Sequence, residues 1–188
     1  MAGIATVAGA CSLMILLGCM YLWANINLYV LSYFFWRNQA PVDLSFIYLV
    51  DTVLIASEIT GYNCGLLLLQ RRYCPKKVIA LSCFVALSGF LLSSFCQSLM
   101  TYLCCYSLLY GFGIGVPYFV CLVTSWEYFP KRKGLVTGVI LAARGLGALV
   151  FAPVSTWLVN PEGLNPEVIW HGVAYFDWRV ASRVPHMI

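Results

Sequence analysis

The sequence predicts an all-α, polytopic transmembrane helix bundle of about five spans. Three observations point there. Hydrophobic residues make up 62% of the 188 residues and charged ones only 10%, whereas a soluble domain is about half apolar and about a quarter charged. The mean hydropathy is +0.86. Apolar runs of spanning length recur along the chain, with most of the charges swept into the gaps between them.

The first span, about residues 8–35, is rich in aromatic residues and carries Asn25 and Asn27 inside it. Its apolar run is longer than the roughly 7–15 residues of a signal-peptide core, and no Lys or Arg precedes Arg37, so it is expected to remain as a helix. Residues 36–43, WRNQAPVD, read as a short polar connector around Pro41. The second span, about 44–69, ends at RRYCPKK, where Arg71, Arg72, Lys76 and Lys77 crowd around Pro75. The third, about 78–96, and the fourth, about 99–126, are joined by the uncharged QSL hairpin, long enough to link antiparallel helices. The fifth, about 134–159, follows EYFPKRKG with its Lys131, Arg132 and Lys133.

These basic residues set the expected orientation. The two basic loops together hold seven Lys and Arg, against one in the first connector and none in the QSL hairpin. The N-terminus and both basic loops are therefore expected in the cytoplasm, by the bias of Lys and Arg toward that side. Residues 1–159 form the expected bundle, and 160–188, with its prolines and mixed charges, a non-cytoplasmic loop or tail that is exposed or lies on the surface. No retention or lipidation signal is evident, and the plasma membrane is the preferred location. The formal charge of +4 sits in clusters between apolar runs and not along one face, which argues against nucleic acid and for topology, with the lipid bilayer as partner.

Nine cysteines would suggest disulfides in a small secreted domain, but most lie in or beside apolar runs and read as reduced, small hydrophobes. Cys64 and Cys74 are too widely spaced for a zinc knuckle, and His171 and His186 come far downstream, so no metal and no cofactor is expected. No nucleophile elbow, P-loop, HExxH or paired CxxC motif supports an enzyme.

Charge inside a span is the sharper signal, because it costs several kcal/mol unless it faces a cavity or a partner. Asp51 and Glu58 stand seven residues apart, on one face of the second span, and Arg144 lies near the middle of the fifth. Two readings stand. In one, Arg144 attracts an anionic substrate, or Asp51 or Glu58 takes up a coupling proton; in the other, Arg144 neutralises Glu58 structurally while Asp51 reaches the interface. Asn25, Asn27 and Tyr29 are pathway candidates, since amides and phenols bind carboxylates without a buried charge, and serve equally as interhelical glue. Gly111, Gly113 and Gly115 in the fourth span, and Gly134, Gly138, Gly145 and Gly147 in the fifth, are expected where helix backbones approach closely. With Pro117 and Pro153 they also suit a pair of helices that rocks.

YLWANINLYVLSYF in the first span, YGFGIGVPYF in the fourth and YFPKRKGLVTGVILAARGLGA leading through the fifth resemble the N-terminal half of a major facilitator superfamily transporter. The likeness is to the branch of oxalate/formate antiporters and monocarboxylate transporters, especially protist-like members. YFDWRVASRVPHM resembles the extended loop after the fifth helix in such proteins. The resemblance implies a secondary transporter of small organic anions such as monocarboxylates. Two departures stand out. Where the superfamily places G-x-L-x-D-R-x-G-R-R, this chain has GLLLLQRRYCPKK, which keeps basic residues without the acid or the glycines. The fold also needs two six-helix halves around a midplane site, so the chain reads as truncated, with a missing C-terminal half or a second copy as its complement. The alternative is a non-transporting interaction or regulatory protein that docks through its glycine faces.

Overall fold

The computed structural model describes residues 1–38, 42, 45–170 and 173–184. Pro41 and Asp43 of the first connector, Leu44 at the start of the expected second span, and His171 and His186, lie outside the described residues. Among the described residues, five helices are long and apolar enough to cross a membrane: α1 (Ala2–Asn38), α2 (Ser45–Gln70), α3 (Pro75–Ser94), α4 (Leu99–Tyr128) and α5 (Pro130–Val159). After them come two short antiparallel strands, β1 (Val168–Trp170) and β2 (Val173–Tyr175), with Ile169 opposite Ala174, and a single turn α6 (Trp178–Ala181).

The helix ends follow local chemistry. Pro75 starts α3, where a missing N–H costs nothing. At the end of α2, Tyr73 N–H donates to Leu68 O at 3.1 Å and Arg72 N–H to Leu69 O at 2.9 Å, the two bonds of a Schellman turn. Its left-handed position is filled by Arg72 at φ +59°, where glycine would avoid a cost of about 1–2 kcal/mol.

α4 is the centre of the bundle. α2 and α3 both pack along it, α1 touches it, and α5 packs on α1. Ser57 Oγ donates to Leu108 O at 2.7 Å and Ser107 Oγ to Val50 O at 3.0 Å, tying α2 to α4 without hydrophobic force, which lipid does not supply. Close approach depends on glycine. A methyl on Gly61 would stand 2.6 Å from Phe112 O, one on Gly111 would stand 2.9 Å from Leu54 O, and Gly115 meets the Glu58 backbone more closely still. Gly113 abuts Ala86 of α3, and Gly147 abuts Ile15 and Gly18 of α1. Gly134, Gly138 and Gly145, expected at helix contacts, have nothing within 4 Å of such a methyl, because they lie on the outer face of α5.

Two helices change pitch in mid-course. α1 tightens to a 3₁₀ turn over Gly18–Leu22, beside Gly147. α4 widens to a π-helix over Leu103–Tyr110. Residues four apart are neighbours on one face of a helix. Tyr102, Tyr106 and Tyr110 accordingly stack in a column with ring centroids 5.3 Å apart at each step. Trp23 of α1 leans on the column, 5.4 Å from the Tyr106 ring.

Residues 161–165 are exposed, whereas the later part of the tail packs onto the bundle. Tyr175, Phe176, Val180, Ala181 and Val184 are buried against the C-terminal part of α1. Trp36 Nε1 donates to Phe176 O at 2.9 Å, Phe176 N–H to Ser32 Oγ at 2.9 Å, and the Tyr175 hydroxyl to Val42 O at 3.1 Å. Phe35 stacks on Tyr175 at 4.3 Å. An aromatic-rich segment of the tail thus finds the aromatic end of α1, a match between distant segments that local patterning does not report.

Candidate functional site

Arg144 is 3% exposed and Glu58 4%. One reaches inward from α5 and the other from α2. Arg144 Nη2 donates to Glu58 Oε1 as a buried ion pair, and also lies 3.0 Å from Met20 Sδ. An uncompensated charge here would cost several kcal/mol, so each residue makes the other tolerable.

Aromatic rings wall the pair. The Arg144 guanidinium carbon is 4.7 Å from the Tyr118 ring centroid and 5.4 Å from that of Tyr21, both within cation–π range. Tyr62 packs on Tyr118 at 4.9 Å between centroids, with its hydroxyl within interaction range of Glu58 and Arg144. Arg144 Nε is buried with no hydrogen-bond partner among the described residues. The guanidinium therefore has an unused donor besides the one that holds Glu58.

Beside the pair lies a cavity of about 400 Å³ between α1 and α2, with Met20, Tyr21, Trp23, Asn27, Tyr48 and Asp51 in its wall. Met20 and Tyr21 belong to both the wall and the shell of Arg144, which makes them the boundary between ion pair and cavity. Trp23 Nε1 is a second buried donor without a partner among the described residues. Asp51 is exposed and forms no salt bridge among the described residues.

The residues singled out from sequence thus separate. Asn27, Asp51, Glu58 and Arg144 gather at the cavity and the pair beneath it. Asn25 does not. Its amide donates to Thr156 Oγ1 at 2.8 Å and Ser155 Oγ at 3.3 Å, joining α1 to α5. Tyr29 is buried and stacks on Phe176 of the tail at 4.4 Å, away from the cavity. Tyr21, Tyr62, Tyr118 and the orphan donor of Trp23 were not singled out as site residues from sequence. Their one signal is spacing: Tyr62 lies four residues after Glu58, one turn along the same face.

All nine cysteines are free. Outside the spans, burial and then the neighbouring Cys105 thiol push the Cys96 thiol up to about 11, so it stays protonated at neutral pH. No group of three or more His, Cys, Asp or Glu able to hold a metal occurs among the described residues.

No family model matches the chain. Curated relatives do. The chain is 30% identical over 173 residues to an uncharacterized MFS-type transporter, YhjX, of Escherichia coli, a match that covers 90% of this chain and 40% of that protein. It is 26% identical over 201 residues to apicoplast pyruvate carrier 1 of Toxoplasma gondii, covering 87% of this chain and 36% of that one. A shorter match, 32% identical over 63 residues, joins it to the oxalate:formate antiporter of Oxalobacter formigenes, over 34% of this chain and 15% of that one. The chain spans about 40% or less of the length of these relatives.

Proposed function

Taking the chain as a multi-pass membrane protein similar to major facilitator-type transporters, we propose that it forms part of a secondary carrier for small organic anions, monocarboxylates in particular. The observation that carries this reading is the buried guanidinium of Arg144, neutralised by one carboxylate and carrying an unpaired N–H, with its neighbours Met20 and Tyr21 in the wall of a cavity. A substrate carboxylate entering between α1 and α2 is chemically the same partner as the Glu58 side chain. It replaces that carboxylate on Arg144, and protonation of Glu58 removes the charge left behind. Asn27 and the Trp23 indole N–H supply neutral donors along the approach. Asp51, on the same helix face as Glu58, serves as an outer acceptor for the coupling proton. The complementary wall of the pathway comes from a further half or from a second copy of the chain, since carriers of this type bind substrate between two repeats.

The test is uptake of radiolabelled pyruvate and oxalate by membrane vesicles carrying this chain, beside empty vesicles. The expected result is saturable uptake that R144Q abolishes while leaving membrane insertion intact. Uptake no greater than that of empty vesicles, with the protein inserted, would rule out a second copy as the complementary wall and with it transport by this chain.

One observation favours a second reading, a membrane interaction protein that does not transport. Gly134, Gly138 and Gly145 lie open on the outer face of α5, and small residues on a lipid-facing helix suit the close approach of another helix.

A further inference from the structure

α2 and α3 each pack on α4 but touch one another little. Between them a crevice of about 440 Å³ opens sideways from the bundle, with Leu68, Leu81, Val85 and Phe112 along it and Tyr73 and Lys77 at one end. That end is the turn QRRYCPKK, in which Arg71, Arg72, Lys76 and Lys77 are all exposed. The turn contains no Asp or Glu, and the salt bridges found among the described residues involve none of these four cations. Arg72 sits in the left-handed position that closes α2, a strained place for any side chain, so a cation is kept where glycine would fit better. Apolar depth and an uncompensated basic mouth thus meet at the level where a helix leaves the hydrocarbon.

We propose that this crevice binds one anionic glycerophospholipid from the leaflet that the basic turns face. An acyl chain lies along Leu68, Leu81, Val85 and Phe112, and the phosphate meets Lys77, Arg72 and the Tyr73 hydroxyl. The apolar length selects a lipid over a free anion. The absence of an acid in the turn leaves nothing to hold the amine of a zwitterionic headgroup, which selects an anionic one.

The test is native mass spectrometry of the detergent-purified chain with equal amounts of dioleoylphosphatidylglycerol and dioleoylphosphatidylcholine. The expected result is one retained phosphatidylglycerol, with its preference reduced to near parity in the double variant R72E and K77E. The matched charge change on the other basic loop, K131E with K133E, is expected to keep the preference, and glycerol 3-phosphate is expected not to displace the lipid. All four substituted side chains are exposed, and circular dichroism checks that both variants remain helical. Equal retention of the two lipids by the unmodified chain, or equal loss of preference in both double variants, overturns the proposal in favour of diffuse surface charge. Displacement by glycerol 3-phosphate overturns it in favour of a free-phosphate site.

Discussion

Arg144 is held by one carboxylate, one thioether and two aromatic faces, from α2, from α1, and from α1 and α4. Removing one member of a buried pair strands the other, at a cost of about 3–5 kcal/mol, whereas replacing both with apolar residues of similar volume is often close to neutral. R144M alone and E58L alone are therefore each expected to destabilise the bundle by about that much. Combining them is expected to cost less than their sum, with a coupling of at least about 1 kcal/mol. Denaturant unfolding of the four proteins in detergent checks this, and additive losses would mean that the pair is not coupled. The charges themselves were legible in the sequence, because an acid and a base inside apolar runs demand partners. The tyrosine enclosure was not, since a ring in an apolar run reads the same whether it faces lipid, core or a cation. Asn25 and Tyr29 show the converse: a polar group in a span announces that it needs a partner without saying on which side.

At the scale of elements, the five helices were readable from apolar length and from the basic and uncharged gaps between them. Their mutual contacts were readable only in part. Gly111 and Gly115 share a four-residue spacing with Gly134 and Gly138, yet the first pair seats α4 on α2 and the second faces outward. Spacing identifies a smooth face and not its occupant. The partner glycines Gly61 and Gly65 of α2 carry the same spacing and complete the contact from the other side. G115L is accordingly expected to lower stability by about 1–3 kcal/mol or more, as overpacking does. G138L is expected to change it by no more than about 0.5 kcal/mol. Thermal unfolding in detergent compares the two, and an equal loss would place the α2–α4 contact elsewhere. The pitch changes in α1 and α4 were not legible: α1 tightens where Gly18 passes Gly147 of a distant helix, and α4 widens along its own tyrosine column.

Across the whole molecule, α4 organises the bundle, the tail is buried on the C-terminal part of α1, and the polar centre lies where α1, α2, α4 and α5 meet. In the proposed carrier, an organic anion seeks the buried Arg144 cation and displaces the Glu58 carboxylate from it. Competition between substrate and Glu58 for Arg144 predicts what a purely structural ion pair does not. Equilibrium dialysis of labelled pyruvate against the purified chain in nanodiscs, for the unmodified protein, E58Q and R144Q, tests it directly. E58Q is expected to bind pyruvate more tightly than the unmodified chain, because the competing charge is gone, and R144Q is expected not to bind it. Binding in E58Q that is weakened, or binding in R144Q that persists, would contradict it.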